Sequence, residues 1–507
     1  MRHANRSAKV NVKVLVIVIV VTVALGVSLV VARQVRRNIL SKMDFEAGTA
    51  AFEKGDWVNA YKHLQEYLGR NPDDIEILKK YAQARLSVRP LEPAHLGAAV
   101  GAYRRVIQLD PLDEVAYEKL ATIYAARGAS EELVYIAGKR LEHEPNDVKA
   151  SLWQSEALVR LNRLPEARAT LTKLIERLES DPQEHIEYIR ACAQMSGLEI
   201  AGGTPEAMTS ALGWLSKAVD RFPQSAEALA SRARFYRLAN VPGVSGAERR
   251  ELARKDLLAA DEHGTDDPRV RLFLAREWMA HGEYDKVAAE LEAADRLPEA
   301  AIAERYFDPD TWVVDRYDVA SELAMRNGTH AEGAAMTDAV FEKLESKGHR
   351  LAMYPNAVRL CVGAGGEDNI AKAAAYLKEY EDALYARQRA GEAKAELAFL
   401  KALVARAKGD SYAVIESLQP LVATGTTAPE FLRLLAEAFA RTDQTRRAVD
   451  AMRRYLADRP RDLAIVVQLT KDYLRLQDWT QAFETAQQGG RFYPDDVDLN
   501  VLRIEAG

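Results

Sequence analysis

The pattern of apolar and polar positions divides the chain near its start. From Val14 to Ala32 the residues VLVIVIVVTVALGVSLVVA run for 19 positions without a charge. A helix rising about 1.5 Å per residue just crosses a bilayer's hydrocarbon core over that length. Beyond it, apolar positions recur every three or four residues between Gly, Asp and Pro punctuation, the period of amphipathic helices. The pattern predicts an all-α chain. It has a basic tail over residues 1–13, a transmembrane helix over 14–32, a basic juxtamembrane segment over 33–42 and a helical array over 43–507.

A secretory signal has a similar composition, and Val30-Val31-Ala32 loosely resembles a small-residue cleavage site. The run is long for a signal core, however, and the helix-favouring RQVRRNIL follows it without a break, which favours an uncleaved anchor. Both flanks are basic, with Arg2, Arg6, Lys9 and Lys13 before the run and Arg33, Arg36, Arg37 and Lys42 after it. Loop charge therefore leaves the orientation open.

In the array, GTAAFEKGDWVNAYKHLQEYLGRNP spans residues 48 to 72. Gly48 suits close helix approach, Gly55 a left-handed helix end and Ala60 a helix crossing, and Pro72 is expected to stop the second helix. Pro111 and Pro145 lie 34 residues apart, as do Pro460 and Pro494, and Tyr473, Trp479, Ala482 and Pro494 repeat the order of the first unit. The segment resembles the tetratricopeptide repeat, whose unit is 34 residues with small, aromatic and proline positions in this order. Looser units follow Ala167, Leu171 and Pro182; Ala211, Leu215, Ala218 and Pro223; and Ala275, Gly282, Tyr284 and Leu291. Others lie around Gly328, Ala373 and Gly409. RPLEPAHL, GLEIAGGTP and NVPGVSGAE read as lengthened turns inside helix pairs, where exposed loops tolerate insertions. Roughly eleven helix pairs are expected, the last incomplete.

The resemblance implies a right-handed superhelical solenoid with a concave groove that binds a protein or peptide. Its first helices would line that groove with Glu118, Thr122, Arg269, Phe273, Arg276, Arg433 and Glu437. Chaperone-binding members of the family clamp a terminal carboxylate with Lys, Asn and Arg. The equivalent positions here hold Phe45, Thr49 and Lys80, so that clamp is absent. The final segment DDVDLNVLRIEAG enters another first helix with Leu499, Val501, Leu502 and Ile504. Either a partner packs there or the polypeptide continues.

Composition agrees with helices: hydrophobic residues make up 48% and charged residues 28%. Residues 1–42 hold eight Lys or Arg and no Asp or Glu, so the remainder carries 61 basic against 75 acidic side chains, a net charge of −14. That excess argues against nucleic acid as a partner.

Chemistry is sparse. Cys192 and Cys361 stand alone and read as small buried apolar residues; the nine histidines show no metal spacing, and His63, His143 and His281 read as solvated residues on helices or at their ends. Asp261, Glu262, His263, Asp266 and Asp267, and the carboxylates from Asp308, lack the glycine and terminal glutamate of a calcium loop. Gly363, Gly365 and Gly366 have no preceding strand and read as a turn rather than a phosphate cradle. Trp57 and Trp479 occupy matching places and read as packing between helices, while Trp312 falls outside a clear repeat.

No catalytic residue, cofactor or metal site is expected. The reading is a membrane-anchored scaffold, by family analogy at a bacterial inner membrane with its array in the periplasm, in envelope assembly, secretion or polysaccharide export. The alternatives are the regulatory part of a larger enzyme and an organelle import receptor with a cytosolic array.

Overall fold

The computed structural model describes residues 12–507 apart from 182–185, 307, 345–346, 388, 390 and 426–427. Contacts divide the chain into two units, residues 1–270 with 298–309, and residues 271–297 with 310–507. Every regular element among the described residues is a helix.

In the first unit the helices form antiparallel pairs. They are α1 (Val12–Glu53) with α2 (Trp57–Leu68), α3 (Ile75–Ser87) with α4 (Pro93–Leu109), and α5 (Glu114–Arg127) with α6 (Ser130–His143). Next come α7 (Val148–Arg160) with α8 (Leu164–Ser180), α9 (Glu187–Ile200) with α10 (Pro205–Arg221), and α11 (Ala226–Leu238) with α12 (Gly246–His263). α13 (Pro268–His281) begins at the unit boundary and pairs with α14 (Tyr284–Asp295), and the short α15 (Glu299–Arg305) returns to the first unit.

The second unit continues with α16 (Pro309–Asn327) and α17 (His330–Lys343), α18 (Lys347–Ala364) and α19 (Glu367–Ala386), and α20 (Lys394–Ala407) and α21 (Ser411–Ala423). α22 (Pro429–Arg441) and α23 (Thr445–Asp458), then α24 (Leu463–Arg475) and α25 (Trp479–Gly490), complete the pairs. α26 (Val497–Ala506) stands alone. The described helices thus make twelve pairs and a final single helix, against the roughly eleven pairs, the last incomplete, expected from the sequence.

Two short devices generate the pairs. The first ends the first helix: Gly55, Gly128, Gly282, Gly328 and Gly409 take left-handed backbone, and Asn162, Asp443 and Gln477 do the same with φ of 57°, 59° and 60°. The next residue then donates its N–H back across the last turn, as in Asp56 to the Ala51 carbonyl and Asp478 to that of Tyr473, both at 2.9 Å.

The second device starts the next pair. Pro72, Pro111, Pro145, Pro223, Pro460 and Pro494 each stand two residues before the N-cap of a first helix. Those caps are Asp74, Asp113, Asp147, Ser225, Asp462 and Asp496, and each side chain accepts the N–H of the third residue on. Pro72 accordingly belongs to the entry of α3, since α2 already stops at Leu68.

The capping carboxylates also reach backwards. The second oxygen of Asp74 accepts from the Tyr67 hydroxyl at 2.9 Å, that of Asp462 from Tyr455 at 2.7 Å and that of Asp147 from Arg140 at 2.7 Å. One side chain therefore starts a helix and fixes it to the second helix of the pair before.

Packing follows the small residues. A Cβ on Gly48 would meet the Leu64 side chain at 2.7 Å, so only glycine lets α1 and α2 approach this closely. Ala60 and Leu64 are fully buried at that crossing. A buried leucine contributes on the order of 1.5–3 kcal/mol.

The three insertions all lie between the two helices of a pair, in α3–α4, α9–α10 and α11–α12. Trp57 packs edge-on to Phe52 at 5.4 Å, whereas Trp479 is 51% exposed, so the matching positions do not share the expected packing role. Trp312 is buried in α16. His63 is not merely solvated: its Nδ1 lies 3.1 Å from Asp44.

α1 takes in the apolar run and continues unbroken into the first pair. Its described apolar side chains, among them Leu25, Leu29, Val30 and Val31, are exposed. Among the described residues no helix is long and apolar enough to cross a membrane. The predicted span at 14–32 lies partly outside the described set, which omits the side chains of residues 12–19, 23 and 24.

Buried charge separates strong from weak contacts. Arg232 grips Asp256 with two bonds of 2.8 and 2.7 Å, and Asp256 is buried. Arg232→Ala strands that carboxylate and is expected to cost about 3–5 kcal/mol. Asp410→Ala, which removes only the cap of α21, is expected to cost about 1 kcal/mol. Urea titrations compare the two, and an Arg232→Ala cost no larger than that of Asp410→Ala contradicts this account.

Candidate functional site

Successive first helices of each unit lie side by side, and polar side chains join them directly. In the first unit Lys79 of α3 meets the Asp113 cap of α5 at 3.0 Å, and Lys149 of α7 pairs with Glu118 and, at 3.1 Å, Glu114 of α5. Arg160 donates to the Ala125 carbonyl at 2.8 Å, Ser155 bonds Gln194 of α9, and Arg190 of α9 meets Glu227 of α11 at 3.0 Å.

The second unit repeats the arrangement. Arg276 reaches Asp318 of α16 at 3.4 Å, and Asn356 of α18 donates to Ser321 at 2.9 Å. Arg359 pairs with Glu396 of α20 at 3.3 Å, and Arg406 with Glu437 of α22 at 2.8 Å. Partners stand about one repeat apart in sequence, so the period that stacks the helices also aligns these charges. Most are partly exposed, and such pairs contribute about 0–1 kcal/mol each. Each leaves two side chains engaged with one another.

This arrangement locates the predicted groove residues. Glu118 is tied to Lys149, and Thr122 turns onto its own helix, donating to the Glu118 carbonyl at 2.8 Å. Arg269 donates to the Arg305 carbonyl and lies over Tyr306, 5.1 Å from the ring centre. Phe273 is half-buried, and Arg276 is held by Asp318. Glu437 sits between Arg406 and Arg441, each at 2.8 Å, and Arg433 is exposed beside it on α22. Glu118, Thr122 and Arg269 fall in the first unit, and Phe273, Arg276, Arg433 and Glu437 in the second.

A cleft the sequence reading missed lies on this face of the second unit, lined by Arg359, Glu396, Phe399, Leu403, Glu430 and Phe431 from α18, α20 and α22. Phe399 and Phe431 stack with ring centres 5.4 Å apart and planes at 21°. The Arg359 guanidinium lies 5.8 Å from the Phe399 centre. The floor is therefore apolar and the rim charged. Arg359 is engaged by Glu396, while Glu430 is exposed and makes no ion pair among the described residues. The two phenylalanines stand 32 residues apart, near the repeat period, which is the signal that marks them.

The cleft suits one inserted apolar side chain with a cationic neighbour beside Glu430. Phe399 and Leu403 are half-buried, leaving apolar surface for a ligand to cover at about 25 cal/mol per Å². Arg359 and Glu396 are already paired, so they position the rim more than they attract charge.

The remaining candidate chemistry is spoken for. Cys192 and Cys361 are fully buried. Burial pushes each thiol up to about 11. Asp267, from the acidic cluster, pairs with Arg305 at 2.8 Å and Arg190 at 3.7 Å. Gly363 lies within α18, and Gly365 and Gly366 form the left-handed link to α19. Among the described residues no group of His, Cys, Asp and Glu is arranged to hold a metal ion.

No protein-family model and no curated protein matches the sequence. Among solved structures the chain is similar to the Cut9–Hcn1 hetero-tetramer of the APC/C, at 17% identity over 92% of this chain and 76% of that one, TM-score 0.40. It is also similar to yeast Tom70, at 13% identity over 86% and 94%, TM-score 0.36. A third is a tetratricopeptide repeat protein from Parabacteroides merdae, at 14% identity over 53% and 98%, TM-score 0.37.

The raised thiols yield a direct test. Near neutral pH both cysteines are protonated and enclosed, so iodoacetamide is expected to leave the native chain unlabelled and to modify both residues in denaturant. Fast native labelling of either, read by mass spectrometry, contradicts the burial described.

Proposed function

We propose that this protein is a membrane-anchored interaction scaffold that binds a protein segment along the first-helix face of its second unit. The observation that carries the reading is the cleft at Phe399, Leu403 and Phe431, because it is the part of that face where apolar surface stays open among self-paired charges. Its preferred segment presents an apolar side chain next to a Lys or Arg that meets Glu430. A binding role rather than catalysis fits a cleft whose lining offers no nucleophile paired with a base.

The anchor belongs to the same reading. It is supported by the 19-residue uncharged run, its continuation as helix α1 and the exposure of its described apolar side chains. Placement at a bacterial inner membrane with the array in the periplasm is the location we favour, in envelope assembly, secretion or polysaccharide export. Protease protection in intact spheroplasts tests that orientation.

Peptide display against the full chain tests the binding role. Selected peptides are expected to share an apolar residue beside a basic one. Phe399→Glu is expected to weaken the best of them by at least about 2 kcal/mol, the scale of an interface anchor, and Glu430→Gln is expected to relax the preference for the basic neighbour. Peptides whose affinity is indifferent to Phe399→Glu place the binding face elsewhere.

A further inference from the structure

Resting on the anchored reading, we propose a second interaction surface: Arg33, Arg36 and Arg37, with the α2–α3 turn at Arg70, form a seat for anionic lipid headgroups. α1 holds the first repeat on that seat without a linker.

Three observations converge on it. The first is continuity, since α1 runs from Val12 to Glu53 with no break between the apolar run and the first pair. A flexible linker would let the array tumble, whereas an unbroken helix transmits its direction.

The second is a grip. The Arg37 guanidinium donates to the Arg70 carbonyl at 2.7 Å, and Asn71 donates to the Ser41 hydroxyl at 2.6 Å. The Arg70 guanidinium meets Asp44 at 2.6 Å, and the other Asp44 oxygen faces His63 at 3.1 Å. Positions 37, 41 and 44 lie on one helix face by their spacing of four and three. The turn at Arg70 and Asn71 is thus fastened to α1 from Arg37 onward.

The third is distance. Arg37 comes five residues after Ala32, the last residue of the apolar run, a rise of about 7.5 Å. A headgroup layer is about 5–7 Å deep on each side of the hydrocarbon. The stripe from Arg33 to Arg37 therefore spans that layer, and the gripped turn rests at its outer edge.

The charges suit phosphate. Arg33, Arg36 and Arg37 are exposed, and Arg33 and Arg36 make no ion pair among the described residues. Asp44, the nearest carboxylate along the helix, is already taken by Arg70 and His63. Guanidinium groups bind phosphate oxygens in a two-pronged geometry that a single ammonium lacks.

The test uses the full chain in vesicles of phosphatidylcholine with and without phosphatidylglycerol, carrying a nitroxide at Asp73→Cys beside the turn. Both native thiols are buried and stay unlabelled. The label is expected to relax against a headgroup-tethered nickel lipid. A glycine–serine insertion between Arg33 and Gln34, which spares the grip, is expected to remove that relaxation.

Fluorescent phosphatidylglycerol is expected to gather at the wild-type chain. Joint Arg33→Gln, Arg36→Gln and Arg37→Gln changes should reduce that preference on the order of 10- to 100-fold. The joint change to Lys, which keeps the charge but loses the two-pronged geometry, should retain only part of it, and unchanged circular dichroism confirms that the variants fold.

A label insensitive to the nickel lipid, or a preference unchanged in the Gln variant, overturns the seat while the anchor stands. Extraction of the chain by alkaline carbonate overturns both.

Discussion

Much of this structure depends on the capping side chain, an aspartate in most cases, that stands two residues after an inter-pair proline. A helix of about thirteen residues is marginal on its own in water, so each pair persists only if its apolar stripes are covered by neighbours. Covering them requires the next pair to start at the right place and angle. Asp74, Asp147 and Asp462 meet that need by capping their own helix with one oxygen and holding Tyr67, Arg140 or Tyr455 of the preceding helix with the other. The proline two residues earlier cannot donate to a continuing helix, so the chain stops where the cap must begin.

A consequence appears on the face of the first helices. Stacking at a fixed repeat brings residues one period apart into register, and several of those positions hold opposite charges, such as Lys149 with Glu118 and Arg406 with Glu437. A face rich in charge can thus be poor in free charge. At the cleft two aromatic rings, Phe399 and Phe431, stack between α20 and α22 beside the Arg406–Glu437 pair. That local exception is why the binding proposal centres there. The basic stripe of α1 is a second exception: it precedes the array, and its Arg33 and Arg36 make no ion pair among the described residues.

The repeat character was legible in the sequence because its devices are local. Gly55, Asp56 and Trp57, or Pro72 and Asp74, act on backbone within a few residues, and Gly48 has a use only where a second helix crosses closely. Gln477 shows where such reading thins, since its left-handed backbone carries no glycine to announce it. Trp479 shows another limit. It matches Trp57 in sequence, but only the three-dimensional neighbours decide that one ring packs on Phe52 and the other stays half in solvent.

The candidate site was far less legible. Glu118, Arg276 and Glu437, expected to line a groove, have partners about a repeat away that cannot be read from a single helix face. The sequence by itself determined the helical class, the punctuation of the pairs, the uncharged run at residues 14–32 and the isolation of the two cysteines, because each depends on neighbours along the chain. Tertiary structure alone decided which charges cancel, which aromatic rings meet in a cleft, and that the turn at Arg70 closes on Arg37. Those outcomes depend on distances between residues 20 to 40 positions apart, and only packing sets such distances.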